Sequence, residues 1–331
     1  MSRFLRGLNA IAYSGALLFS AFGFTTAAHA ADDWPTKPIT IIVPASPGGA
    51  TDIVSRLLAE KMQEDFGEAV VVENKAGAAG IIGTQQLTRA KPDGYTLIMG
   101  NIGPNAINYH MYEDLPYTRD DFAPISMVLS VPNVLVVNKN TEVDSVQGLV
   151  DLLHSEPESF AFGSSGLGQS PHLSAELFML RTDTDAVHVP FKGAGPAATA
   201  LLGEQFLFMI DNLPSSISHI KSGDFKALAV TSEERIEQLP EVPTLREEGI
   251  DMDVTAWFGL LAPEGTPDDR IEKISNSVQK AMQDDSFNEK IKAMGGIDVT
   301  DLTTPDSFGK YIDDQIKLWE ETIKAANIER S

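Results

Sequence analysis

Short β-branched runs alternate with helically spaced apolar positions along almost the whole chain, and this alternation restricts the fold more than any other feature. Ile39-Thr40-Ile41-Ile42-Val43 reads as a strand closed by Pro44. Ile53, Val54, Leu57, Leu58 and Met62 then recur at helical spacing within 52–66. The pattern continues with a strand at 70–72, a helix at 81–90 and a strand at 95–99. It resumes later as helices 146–154, 172–180, 196–202 and 215–221, each leading to a strand at 160–162, 186–189, 206–210 and 226–230. Two helices, 268–283 and 305–326, close the chain. Such alternation predicts an α/β fold with parallel sheets and helices on both faces. Two long extended stretches, near 124–137 and 250–261, join the two series. They predict two lobes with two crossings, the last segment returning to the first lobe.

The N-terminus addresses the compartment. Arg3 and Arg6 precede an apolar run from Leu8 to Phe24, and Ala28-His29-Ala30 supplies small residues around a tolerant position. This is the three-part layout of a secretory signal, with cleavage after Ala30. No later stretch approaches the ~20 apolar residues that span a bilayer. The chain has no Cys, which removes a lipid anchor, disulfides, thiol catalysis and Cys-based zinc sites. A secreted chain without disulfides must rest on a large core, and about 300 residues suffice for two modest domains. The formal charge is −22, and loss of Arg3 and Arg6 takes it to about −24. That surface repels nucleic acid and anionic lipid. An anionic ligand therefore needs a local device that overcomes the global field.

Four loops between strand and helix are unusually small and polar. Pro44-Ala45-Ser46-Pro47-Gly48-Gly49-Ala50-Thr51-Asp52 offers Thr51 and Asp52 as N-cap candidates and two glycines for close backbone approach. Gly163-Ser164-Ser165-Gly166-Leu167-Gly168-Gln169-Ser170-Pro171-His172 clusters hydroxyls, an amide and glycines before a helix. Lys192-Gly193-Ala194-Gly195-Pro196 and Asp211-Asn212-Leu213-Pro214-Ser215 are placed the same way. A helix start presents free N–H groups and about half a positive charge, so it binds anions without a cationic side chain. In open α/β sheets ligands sit at these strand ends. The other reading is that each loop merely caps its own helix.

Enzyme motifs fail on inspection. Gly193-x-Gly195-x-x-Ala198 resembles a dinucleotide fingerprint, but it lies mid-chain, Pro196 removes an N–H and Asp211 is displaced. Leu167 breaks a nucleophile elbow around Ser165, and no Lys-Ser/Thr follows Gly48-Gly49. The six His have no metal-ligand spacing. His172 is either a donor to a carboxylate or a structural cap partner. Trp257 and Phe258 on the second crossing favour core packing over a ligand platform.

Many short stretches, in order, resemble one known family. They include Trp34-Pro35-x-Lys37-Pro38-Ile39, Pro47-Gly48-Gly49-x-Thr51-Asp52, Val71-Val72-Glu73-Asn74-Lys75 and Pro92-Asp93-Gly94-Tyr95-Thr96-Leu97. Further on come Pro132-Asn133-Val134, His188-Val189-Pro190-Phe191-Lys192-Gly193, Asp211-Asn212-Leu213-Pro214-Ser215 and Ala256-Trp257-Phe258-Gly259. The chain resembles the Bug-type periplasmic receptors of tripartite tricarboxylate transporters over nearly its whole mature length. The resemblance implies a two-lobed, Venus-flytrap, type II-like periplasmic-binding-protein fold with two doubly wound sheets and two crossover segments. Residues 1–30 are then the signal peptide, 31–130 plus 254–331 lobe 1, and 131–253 lobe 2. It implies capture of a small carboxylate for membrane transporter subunits, or presentation to a membrane sensor kinase, with no catalysis, cofactor or metal. A periplasmic monomer is expected, with no nucleic-acid partner.

The candidate ligand residues are Ser46, Gly48, Gly49, Ala50, Thr51, Asp52 and Asn101 in lobe 1. In lobe 2 they are Ser164, Ser165, Gly166, Gln169, His172, Lys192 and Asp211. Lys192 is the rival to the helix-end mechanism, since one cation could hold the anion alone. Three departures from the family pattern bear on ligand identity: Ala45 where an aromatic is frequent, Asn105 for a frequent His, and Gln169 for a frequent Thr. The signal reading has a direct check. Intact mass of protein recovered from the periplasm should correspond to a chain starting at Ala31, and retention of 1–30 would refute cleavage.

Overall fold

One long buried strand, β4 (Phe122–Asn138), is shared by the two arms of the sheet. The computed structural model describes residues 33–156, 159–325 and 328; the expected signal peptide, 1–30, lies outside them. Pro35–Ser331 forms one contact unit, and every helix and strand belongs to it.

The first arm begins with β1 (Ile39–Val43), whose β-branched run is buried because it pairs in parallel with both β2 (Val70–Asn74) and β3 (Thr96–Asn101). Helix α1 (Ala50–Phe66) follows β1, and α2 (Ile81–Thr88) precedes β3. After β3 the chain makes a π-turn over Gly103–Ile107 and a short helix α3 (Asn108–Met111). β9 (Thr255–Pro263) returns from the other arm and inserts antiparallel between β3 and β4. Helices α8 (Asp268–Gln283), α9 (Asp285–Ala293) and α10 (Pro305–Ala325) then pack back on this arm. Gly259 of β9 leaves the room that the Phe308 ring of α10 fills.

The second arm carries α4 (Val146–Ser155), β5 (Ala161–Ser164), α5 (Ser170–Thr182), β6 (Val187–Pro190), α6 (Ala194–Leu202), β7 (Phe208–Asn212), α7 (Leu213–Lys221) and β8 (Phe225–Val230). Ser145 caps α4, accepting from Gly148 N at 3.0 Å. β5 pairs in parallel with β6 and β7, whereas β7 and β8 pair antiparallel to β4.

The expected alternation and its parallel βα strands are therefore present, joined by antiparallel crossing strands. The strands of each βα series are parallel; β9 runs against β3, and β4 runs against β7 and β8. Helix α9 was not anticipated from sequence. Of its side chains only Phe287 is fully buried, and Asp284 caps it by accepting from Phe287 N.

The change of arm falls on Asn133. Pro132 still pairs with Thr255 of β9, whereas Asn133 pairs with Asn212 of β7. Asn133 is fully buried, so each of its polar groups needs a partner. Its N–H donates to Thr231 Oγ1 at 2.8 Å, and its carbonyl accepts from Thr231 N at 2.9 Å. Its amide donates to Ser174 Oγ at 2.7 Å and accepts from Asn212 Nδ2 at 2.6 Å. The Thr231 hydroxyl in turn donates to Val254 O at 2.6 Å, on the second crossing. Both crossings are thus joined by one polar network.

Candidate functional site

The loops at the strand ends of the two arms converge on a cavity of about 70 Å³. The first arm contributes Pro44 and Ala45 ahead of α1, 49–51 at its start, 77–80 ahead of α2, and Asn101 and Ile102 at the end of β3. The second contributes Ser165, Gln169 and Ser170 at the start of α5, 191–194 at the start of α6, and Asn212 ahead of α7. Ala256 and Phe258 of β9 complete the wall.

The first loop shows why its sequence is so restricted. Thr51 and Asp52, expected as N-caps, lie inside α1; Gly49 is the N-cap, with extended backbone and no side-chain bond. The correction has a physical reason: Asp52, one turn in, reaches backward to accept from Gly48 N at 3.0 Å. Its other oxygen accepts from Asn74 Nδ2 and Arg56 Nε, both at 3.0 Å. Asn74 Nδ2 also donates to Ala45 O at 3.1 Å, so β2 holds the loop. Burial alone would raise the Asp52 carboxyl, but the bonds from Arg56, Gly48 and Asn74 outweigh it and hold the group below its ordinary range. Asp52 shapes the loop and does not line the cavity.

The loop is also latched to the other arm. Ser46 donates its hydroxyl to Lys192 O, and Ala50 N donates to Ser215 Oγ at 3.0 Å. Gly193, at φ +124°, allows the approach: a Cβ there would lie 2.9 Å from Ser46 Cβ.

In the second arm, Ser165 and Gln169 line the cavity, and Ser164, Gly166 and His172 stand behind them. Ser164 Oγ accepts from Gly166 N at 3.1 Å and pairs with His188 Nε2 at 2.7 Å. His172 resolves to a structural role here. It is buried, accepts at Nδ1 from Gly168 N at 3.2 Å, places Nε2 3.4 Å from Glu176 and stacks on His188 at 4.0 Å. Burial first, and His172 second, push His188 down to about 3. Asp211 is buried beside the cavity, accepting from Ser216 Oγ at 2.8 Å. Burial raises its carboxyl to about 6, with Ser216 and the Asn212 N–H pulling partly back. Lys192 is exposed at the cavity mouth and forms no ion pair with Asp211.

Of the candidate residues, Gly49, Ala50, Thr51, Asn101, Ser165, Gln169 and Lys192 line the cavity. Ser46, Gly48, Asp52, Ser164, Gly166, His172 and Asp211 support those that do. Sequence reasoning missed the segment Gly77-Ala78-Ala79-Gly80, where all four residues have positive φ, Ala78 at 45° and Ala79 at 51°. That conformation costs a residue with a Cβ free energy, and such strain persists where surroundings impose it. Here Ala79 O is gripped by Gln169 Nε2 at 2.6 Å and Asn108 Nδ2 at 3.2 Å. The unbroken small-residue run between β2 and α2 was the available signal. Trp257 packs on Phe308 and Tyr311, whereas Phe258, one residue on and on the opposite face, reaches the cavity.

The electrostatics are one-sided. No Asp, Glu, His or Arg lines the cavity, and Lys192 is its one charged side chain among the described residues. Hydroxyls of Thr51, Ser165 and Ser170 and amides of Asn101, Gln169 and Asn212 supply the polar surface. No cluster of three or more His, Asp or Glu able to hold a metal occurs among the described residues. No helix among them is long and apolar enough to cross a membrane.

Comparison with known proteins agrees with this geometry. Residues 54–328 match the profile described as tripartite tricarboxylate transporter family receptor, TctC. The chain is 37% identical over 310 residues to the protein BugT of Bordetella pertussis, covering 93% of this chain and 94% of that protein. It is similar to the solved periplasmic binding protein BugD, with TM-score 0.87, 33% identity and coverage of 90% of this chain and 100% of BugD. The R. palustris protein Rpa4515, solved with adipate, gives TM-score 0.86 and 33% identity, covering 90% of this chain and 100% of that one.

The Asp211 environment predicts a pH effect. A carboxyl near 6 in the fold and 3.8 in the unfolded chain binds its proton more tightly when folded. Its contribution is full below pH 3.8 and is lost as pH rises through about 6. Asp211→Asn does not titrate. Between those pH values its stability should therefore rise relative to wild type by on the order of 2 to 3 kcal/mol. Urea midpoints across that window measure it; a difference that stays constant with pH would contradict the assignment.

Proposed function

We propose that this chain, which belongs to the tripartite tricarboxylate transporter family of receptors, captures a small carboxylate between two hinged lobes and delivers it to membrane transporter subunits. Members of this family are periplasmic solute-binding proteins and not enzymes. The observation that carries the ligand class is the cavity wall. In a chain of formal charge −22 it excludes every acidic side chain and gathers a helix start, three hydroxyls, three amides and one lysine. The hydroxyls, the Asn101 amide and the lysine can donate to an anion, whereas the Asn212 amide donates to Asn133 and Ser170, and the start of α1 adds its partial positive charge. The adipate held by the R. palustris relative supports the same ligand class.

The lobes are taken as 31–130 plus 254–331 and 131–253. Contacts from both lobes to one ligand favour the closed state, since a ligand shifts an equilibrium by its differential affinity for the two forms. The latches from Ser46 to Lys192 and from Ala50 to Ser215 belong to that closed state.

Two measurements test this reading. A thermal-shift screen of mono-, di- and tricarboxylates identifies the acid, and small-angle scattering should then show a smaller radius of gyration with it bound; an unchanged radius at saturation would argue against closure. Calorimetric titration of that acid separates the helix-end mechanism from a lone cation. Thr51→Val should cost about 1–3 kcal/mol of binding. Gly49→Val should weaken binding severely, because a branched side chain at this lining position blocks close approach of the ligand to the loop. If Lys192→Met alone abolishes binding, the helix-end mechanism is wrong.

A further inference from the structure

We infer that Gln169 is the end wall of the cavity and sets the length of acid it accepts, an inference that rests on the carboxylate reading above. Gln169 precedes α5 as its N-cap, yet its side chain makes no capping bond. The helix start uses its backbone carbonyl instead, which accepts from His172 N at 3.0 Å and Leu173 N at 3.1 Å. The side chain is thereby free to cross to the other arm. Its Nε2 donates to Ala79 O at 2.6 Å, and its amide packs so closely over Gly103 that a Cβ there would lie 2.6 Å from Nε2 and Oε1. Ala79 and Gly103 stand at the loops before α2 and after β3, so the amide of Gln169 closes the cavity between those two loops.

The size of the enclosed space gives that wall a consequence. With the amide in place the space is about 70 Å³. The amide bounds it at this end, so a longer chain meets it before a shorter one does. The neighbours cannot take up the space if the amide is removed. Gly103 has no side chain to extend, and Ala79 remains held by Asn108 Nδ2 at 3.2 Å in its left-handed conformation. Truncation at 169 should therefore leave room rather than collapse, and the room adjoins the cavity that Gln169 lines.

The test uses straight-chain diacids from malonate to adipate as probes, titrated into the mature wild-type protein, Gln169→Asn and Gln169→Ala. Wild type should prefer the short members. Gln169→Ala should shift the ratio of affinities toward adipate by roughly tenfold or more, the scale on which pockets separate ligands by a methylene. Gln169→Asn, which keeps a shorter amide, should fall between. Both variants should still unfold cooperatively, a little below wild type, because they lose the bond to Ala79 O but keep the backbone cap of α5. Wild type binding adipate as tightly as succinate, or a ratio unchanged by truncation, overturns the inference and leaves the carboxylate reading standing. Binding of no diacid by any of the three also overturns it; if mono- and tricarboxylates fail as well, the carboxylate reading falls with it.

Discussion

Everything in this fold hangs on β4 being shared by two sheets. Its first half pairs with β9 and its second with β7 and β8, so the orientation of one arm against the other is written into a single strand. The switch occurs at a buried Asn, where an apolar residue would have packed but would not have bonded. Asn133 ties β4 to Thr231, and Thr231 to Val254, so the two crossings are held to each other. The same amide accepts from Asn212, which lines the cavity. Buried polar networks of this kind specify one arrangement, because every alternative leaves a group unpaired.

Placement of charge answers the difficulty that the composition raises. Carboxylates cover the surface, but those beyond ~8–10 Å are screened by salt. Near the cavity the two buried acids are turned to structural work. Asp52 is saturated by Arg56, Asn74 and the Gly48 N–H, and Asp211 by Ser216 and the Asn212 N–H. Neither faces the ligand space. What does face it is the start of α1, hydroxyls, amides and the mouth lysine, a surface whose local field is opposite to that of the whole chain.

Glycine and alanine let the two arms come this close. A Cβ at Gly193 would lie 2.9 Å from Ser46 Cβ, and one at Gly195 would lie 3.1 Å from Pro47 O. Larger side chains at these points would hold the arms apart before the polar latches could form. The strained 77–80 segment belongs to the same surface, its Ala79 carbonyl turned to meet Gln169 and Asn108.

The sequence by itself determined the local order: β1 and α8 match the predicted spans, and the strand-to-helix loops that were picked out do surround the cavity. Those features are periodic or local, so neighbours along the chain reveal them. It also marked seven of the lining residues, because helix starts rich in glycine and hydroxyls carry a recognisable composition. Only the tertiary structure separated Ser165 and Gln169, which line the space, from His172, which turns back to Gly168 and Glu176. It likewise separated Phe258 from Trp257 and made Gly49, rather than Thr51 or Asp52, the cap of α1. The antiparallel crossings and the role of 77–80 came from the same source. Each of these depends on a partner far away in sequence, such as Asn74 for Asp52 or Gln169 for Ala79, and a side chain's direction is decided by the partner it reaches.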